Sequence, residues 1–187
     1  MSRRRFFAPQ NAFSSQTVTL AGDEARHLRD VLRLKPGDDA YVFNGEGQEF
    51  CCTVSQLKRD VAILEVHNEV DPSKPESPLD LTLAVALLKG EKFDLVVQKA
   101  TQLGITTIVP IKRPYGDIRL RDDIDVKKRV DRWQRIAMEA AKQSGRAKVP
   151  VVSHPVSFDS LVAAHSAAKR IMFSEREGHS LHETLAR

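Results

Sequence analysis

The chain has 187 residues, 41% of them hydrophobic, enough to bury one sizeable core or two small ones. No apolar run reaches the ~18 residues of a membrane-spanning helix. Met1-Ser2-Arg3-Arg4-Arg5-Phe6-Phe7 is basic without the apolar stretch of a signal peptide, so a cytoplasmic address is expected. The net charge of +4 is unevenly spread, with +4 over residues 1–35, −6 over 36–111, +6 over 112–148 and none over 149–187. Two basic segments around an acidic one suggest an anionic partner met at two places; ordinary surface variation is the alternative.

In chain order, residues 17–20 read as a short strand ending at Ala21-Gly22, and Asp23 as the N-cap of a helix to about residue 34. Ala25, Leu28, Val31 and Leu32 share one side of that helix; Arg26, Arg29, Asp30 and Arg33 share the other. Lys35-Pro36-Gly37-Asp38 ends it. Strand signals follow at 40–43, 49–54 and 61–66, with turns at Asn44-Gly45-Glu46-Gly47 and near Lys58-Arg59-Asp60. Several short strands around one helix predict a small β-barrel. The only cysteines, Cys51 and Cys52, are strand neighbours pointing to opposite faces, so no disulfide framework is expected.

Residues 70–78 hold three prolines and almost nothing apolar, and read as a linker. Residues 79–88 form a nearly continuous apolar run, expected as a strand buried on both faces. Residues 91–103 are helical, with Phe93, Val96, Val97, Ala100 and Leu103 at three- and four-residue spacings and Gly104 as the stop. Residues 105–111 form a second buried strand, and strand, helix, strand forces a parallel pair. A long helix over 124–144 carries Val126, Val130, Trp133, Ala137 and Ala140 on its buried stripe, closed by Gly145. A strand at 149–152, a helix near 158–165 and a strand at 170–173 complete an α/β pattern. The expected units are 1–70, a linker at 71–78, and 79–187.

Few residues signal chemistry alone. Gly45-Glu46-Gly47 begins like a dinucleotide fingerprint but lacks the third glycine and the following helix. Lys89-Gly90-Glu91-Lys92 sits between strand and helix, where free N–H groups favour anions; a plain turn with solvated lysines is the other reading. The histidines show no metal-ligand grouping, since His179 and His182 lack further ligands, and no metal is expected. His27 lies on the basic helix next to its apolar side and reads as a packed or partly buried histidine, with a catalytic role as the alternative. Arg3, Arg4 and Arg5 with Phe6 and Phe7, and the row Arg26, Arg29 and Arg33, combine phosphate-pairing charge with stackable rings, the chemistry of RNA recognition. Their alternative is a solvated face with the phenylalanines in the core. A glycine cap explains Gly145 and partly Arg146, but leaves Gln143 without a role.

Together these pieces resemble the RsmE-type 16S ribosomal RNA (uracil-N3)-methyltransferases. The resemblance rests on Arg5-Phe6-Phe7, on His27-Leu28 with Val31-Leu32-Arg33 and Gly37, and on Lys89-Gly90-Glu91-Lys92 with Gln98-Lys99-Ala100 and Leu103-Gly104. It continues through Trp133, Ile136-Ala137, Glu139-Ala140-Ala141, Gln143-Ser144-Gly145-Arg146 and Val149-Pro150, and more loosely to Glu175-Arg176. The resemblance implies a PUA-like RNA-binding barrel followed by a SPOUT-type α/β-knot methyltransferase domain. It further implies S-adenosyl-L-methionine as methyl donor, a homodimer, and the 16S rRNA of the small ribosomal subunit as partner, with no membrane and no metal. Arg3, Arg5, Arg29 and Arg33 are expected to face RNA, with Lys89, Lys92 and Arg146 nearer the active site. Gln102 stands where the family has Glu. The family's Gly-Pro-Glu-Gly-Gly loop and later Leu-Gly, Leu-Arg and Glu-Thr segment, which form the knot and most of the donor pocket, match nothing here. Catalytic and cofactor-binding residues are therefore expected beyond Arg187. If the 187 residues are the complete product, a non-catalytic RNA-binding module is the alternative.

Overall fold

The alternation of apolar residues along the first strands produces a five-stranded sheet in the computed structural model, which describes residues 3–113, 118, 120–164, 169–173, 178 and 180–186. Its strands are β1 (Arg5–Phe7), β2 (Thr17–Ala21), β3 (Asp39–Phe43), β4 (Glu49–Leu57) and β5 (Val61–Val70), in the order β1-β3-β4-β5-β2. β1 runs parallel to β3, and the other pairs are antiparallel. Inward residues at every second position, Val18 and Leu20, Ala40 and Val42, Cys52 and Val54, Ala62 and Leu64, meet Phe6, Ala25 and Leu28 in one core. Register shifts in β4 at Cys51/Cys52 and Val54/Gln56 bend the sheet around that core.

The first helix departs from expectation. Gly22, not Asp23, is its N-cap; α1 (Asp23–Arg26) then continues as a wider turn over His27–Val31, in which the Leu32 amide bonds the His27 carbonyl. That wider turn adds a residue to the helical repeat and rotates the next residues out of the apolar stripe. Ala25 and Leu28 are buried, whereas Val31 and Leu32 are exposed and Leu34 takes the buried place.

A parallel sheet forms the second unit from β6 (Thr82–Ala86), β7 (Thr107–Lys112), β8 (Val151–Val152) and β9 (Val156–Ser157). Two helices, α2 (Lys92–Gln102) and α3 (Asp123–Ser144), cover one face through Phe93, Val97, Trp133 and Ala137. The Asp122 carboxylate accepts from the Asp125 amide at 2.7 Å and starts α3. Gly145 ends it with a φ of 83°, a left-handed turn where a side chain would also press on Lys74. Two short helices, α4 (Phe158–Ala164) and α5 (Leu181–Ala186), follow.

Three sequence expectations change here. β6 is not buried on both faces: α2 and α3 take one side, and Leu79, Leu81 and Leu88 are exposed. Leu103 lies past the end of α2 and is 80% exposed, because the last turn has already left the buried stripe. Residues 170–173 form no strand, and Ile171, Met172 and Phe173 face outward without a neighbouring strand to pair with among the described residues. His165, Glu175-Arg176, His179 and Arg187 lie outside the described residues.

The proline-containing stretch expected as a linker is tied down. The Lys74 amide bonds the Gly145 carbonyl, and Glu76 accepts from Arg146 and from the Lys148 amide. The 44–47 hairpin turn also bridges the two units: the Gly47 amide bonds the Ala147 carbonyl and the Val149 amide bonds the Gly45 carbonyl. Gly45, at φ 83°, lies so close to Phe7 that an added Cβ would stand 2.9 Å from its ring.

Candidate nucleic-acid interface

Side chains alternate along β1, so Phe6 enters the first core while Phe7 packs against Phe43 and the Gly45 turn and Arg5 faces the end of α3. There the Arg5 guanidinium is fully occupied. It meets the buried Glu49 carboxylate at 2.8 and 3.1 Å, donates to the carbonyls of Lys142 (2.8 Å) and Arg146 (2.9 Å), and lies over the Phe43 ring. Helix C-termini leave carbonyls unpaired and carry partial negative charge, and Arg5 answers both for α3 from the other unit.

Arg146 does the same for α2. It donates to the carbonyls of Thr101 (2.6 Å) and Ile105 (3.1 Å) and holds Glu76 at 2.7 and 2.9 Å. The sequence predicts Arg5 to face RNA and Arg146 to lie nearer the active site. Burial and saturation of their donors make them internal helix caps instead.

The remaining candidates divide by location. Arg29 grips Asp30 through two 2.7 Å bonds and reaches the backbone carbonyls at residues 58–59. The Arg29 hydrogen bond holds the Asp30 carboxyl below its ordinary range, so much of the Arg29 charge is answered on the spot. Arg33 is exposed, bonds to no described side chain, and has a φ of 53°, the one non-glycine residue in that region among those described. The Leu34 amide closes back on the Leu28 carbonyl across it, the geometry of a helix stop that ordinarily takes glycine. The unpaired Arg33 cation thus sits in a conformation that costs about 1 kcal/mol over glycine. Arg3 bonds Glu49 at 3.2 Å and the Asp71 carbonyl at 2.7 Å while staying partly exposed.

Lys89 and Lys92 are exposed where β6 gives way to α2, at the carboxyl end of the parallel strands. The C-termini of α2 and α3, with Arg146 and Arg5, lie at the opposite end of that sheet. The expected set therefore does not converge on one site. The charge of the second basic segment is partly spent as well, in Arg129–Asp125, Arg132–Asp94, Lys142–Glu24 and Arg146–Glu76 pairs.

One cleft does gather cations. It opens between β1, the turn at His27, the start of the tied stretch and the end of α3, with a volume of about 810 Å³. Arg3, Arg4, Lys74 and Lys142 line it with His27 and Gln143; Asp71 is its one carboxylate. Lys142 is spent on Glu24 at 2.7 Å, whereas Arg4 and Lys74 are exposed and their side chains pair with no described residue. Arg4 lay inside the N-terminal arginine run. Gln143 showed itself in the sequence only as a residue the glycine cap left unexplained. Lys74 gave no signal, because its place depends on how residues 70–78 fold back. No group of three potential metal ligands occurs among the described residues, and no described helix is long and apolar enough to cross a membrane.

Residues 75–187 match the family described as RNA methyltransferase domain, and residues 20–66 match the RNA methyltransferase PUA domain. The chain is 32% identical over 156 residues to ribosomal RNA small subunit methyltransferase E of Bacillus subtilis, covering 82% of this chain and 59% of that protein. With the Synechocystis protein of the same name it is 34% identical over 163 residues, covering 87% and 50%. The chain thus spans between half and three fifths of the length of these relatives. Among solved structures, the Neisseria gonorrhoeae ribosomal RNA small subunit methyltransferase E bound to S-adenosyl methionine is 32% identical, with a TM-score of 0.78, covering 89% of this chain and 67% of that one. A Legionella pneumophila protein at 24% identity shares the fold, with a TM-score of 0.86 over 98% of this chain.

Proposed function

This chain belongs to the RNA methyltransferase family, with a PUA-like unit followed by a SPOUT-type α/β unit, and from that premise we propose that it serves S-adenosylmethionine-dependent N3-methylation of a uridine in 16S rRNA. The observation that carries the RNA part is the cleft, where Arg4 and Lys74 stand unpaired beside hydrogen-bonding side chains. The uracil N3–H is weakly acidic, so such a reaction needs a group to take that proton and a rigid hold on the nucleotide. These residues supply the hold.

The methyl group of the donor sits on a sulfonium cation, which the unpaired cations Arg4 and Lys74 of this cleft disfavour. This favours a use of this cleft in which it grips RNA, with the donor and catalytic groups held away from it. The relevant form is a homodimer acting in the cytoplasm, with units at 1–70 and 79–187 joined by 71–78.

Two titrations of this chain test this reading. Small-subunit rRNA is expected to bind with a clear salt dependence, and S-adenosylmethionine is expected to give no micromolar binding. Absence of RNA binding overturns the RNA reading. Micromolar donor binding places the donor site within residues 1–187. For the chemistry, a labelled methyl recovered on ribose or on a base carbon, rather than on uridine N3, overturns the assignment.

A further inference from the structure

We propose that the cleft between β1 and the end of α3 receives a single unstacked nucleotide, its phosphate on Arg4 and Lys74 and its base edge between His27 and Gln143. The inference rests on the reading of the chain as an RNA-binding methyltransferase, and it names a place for the RNA within the fold.

Four observations converge. The cleft, about 810 Å³, falls within the ~300–1,000 Å³ of small-ligand pockets, large enough for a nucleotide and too small for a duplex. Its two unpaired cations lie on separate elements, the β1 edge and the tied stretch, which suits one phosphate held from two sides. Between them the wall offers groups that read bases rather than backbone. The His27 ring, set edge-on against Phe6 at 6.0 Å, has no hydrogen-bond partner among the described residues, and neither has the exposed Gln143 amide. A carboxamide presents donor and acceptor together, the pattern that pairs with a uracil edge once the base has left its stack. Finally, the wall is preorganised. The wider turn that begins at His27 places that ring and Leu32 on the cleft, and the Arg5 cap neutralises the α3 carbonyls that would otherwise repel a phosphate.

Asp71 is the opposing charge in the cleft, and its backbone carbonyl is held by Arg3. Its carboxylate disfavours a second phosphate beside the first, which is consistent with one nucleotide rather than a tracked strand.

Fluorescence anisotropy with a labelled short oligouridine and with an RNA duplex tests this on the 187-residue chain. Arg4→Ala with Lys74→Ala is expected to weaken oligouridine binding about tenfold and to make the log–log salt slope shallower by about 0.7, the share of one phosphate on a single strand. Gln143→Ala is expected to weaken the same binding about fivefold, the worth of a lost hydrogen bond, with the salt slope unchanged. His27→Asn gives a second base-side variant should Gln143→Ala disturb the end of α3. Lys89→Ala with Lys92→Ala, at the far end of the sheet, serves as the comparison. Unchanged oligouridine binding in the cleft variants overturns the proposal while leaving the RNA reading intact, as does a loss confined to the Lys89 and Lys92 variant. An equal loss for the duplex removes the claim that the nucleotide is unstacked. Wild-type chain that binds neither RNA removes the RNA reading and the cleft proposal together.

Discussion

The Arg5 guanidinium donates to the backbone carbonyl of Arg146 at 2.9 Å, and the Arg146 guanidinium in turn reaches the Thr101 carbonyl at 2.6 Å. One arginine from the N-terminal sheet thus closes α3, and the residue it touches closes α2. Two carboxylates, Glu49 and Glu76, balance the pair. This relay ties the two units to each other, and its Arg5 lines the cleft.

Removing Arg5 leaves the Glu49 carboxylate, fully buried, without its strongest partner. Breaking a buried ion pair from one side costs about 3–5 kcal/mol, and Arg5→Ala is expected to destabilise the chain by that amount in urea denaturation. Arg5→Lys should recover only part, because an ammonium cannot reach Glu49 and two carbonyls in one plane. A loss below about 0.5 kcal/mol would mean that the relay does not hold the units together.

Arg146→Ala is expected to act locally as well as globally. Hydrogen exchange at the amides of Leu103, Gly104 and Ile105, which close the end of α2, should accelerate before the rest of the chain responds. Uniform acceleration everywhere would show that Arg146 acts on global stability alone.

Arg33 separates stability from binding. Its φ of 53° suits glycine, so Arg33→Gly should raise stability by about 0.5–1 kcal/mol while weakening RNA binding and its salt dependence. Arg29→Ala should weaken RNA binding less, because Asp30 already answers the Arg29 charge. Equal losses from the two substitutions would contradict that distinction.

Gly45→Ala should be destabilising twice over, through its φ of 83° and through contact with Phe7. A decrease of about 1–3 kcal/mol is expected, with the junction of the two units loosening first, readable as faster exchange of the Val149 amide.

Burial pushes the Cys52 thiol up to about 12, with the neighbouring Cys51 adding to the rise. The folded chain therefore keeps the proton that the unfolded chain releases above about pH 8.5, and stability should fall as pH rises from there towards 12. Cys52→Ala should flatten that fall. At pH 8 a maleimide should label Cys51, which is partly exposed, and leave Cys52 untouched until the chain unfolds.

Much of this architecture was legible from local pattern. Period-two alternation marked the first sheet, three- and four-residue spacing marked α2 and α3, and Gly145 marked the end of α3, because each of these signals is written within one element. Local pattern misplaced Val31 and Leu32, since a single wider turn at His27 shifts the helical repeat without changing composition. It also overstated the burial of β6, because a run of apolar residues does not say how many layers cover it.

Charge shows the same division most sharply. The sequence by itself determined that cations cluster near the N-terminus and along α3, and the resemblance tied them to RNA. Only the tertiary structure decided which of them remain available. Arg5, Arg146 and Lys142 are consumed by carboxylates and helix ends that lie far away along the chain, whereas Arg4 and Lys74 meet across a cleft with no such partner. The physical reason is that a formal charge belongs to a residue, but its pairing belongs to whatever the fold brings within about 3 Å of it.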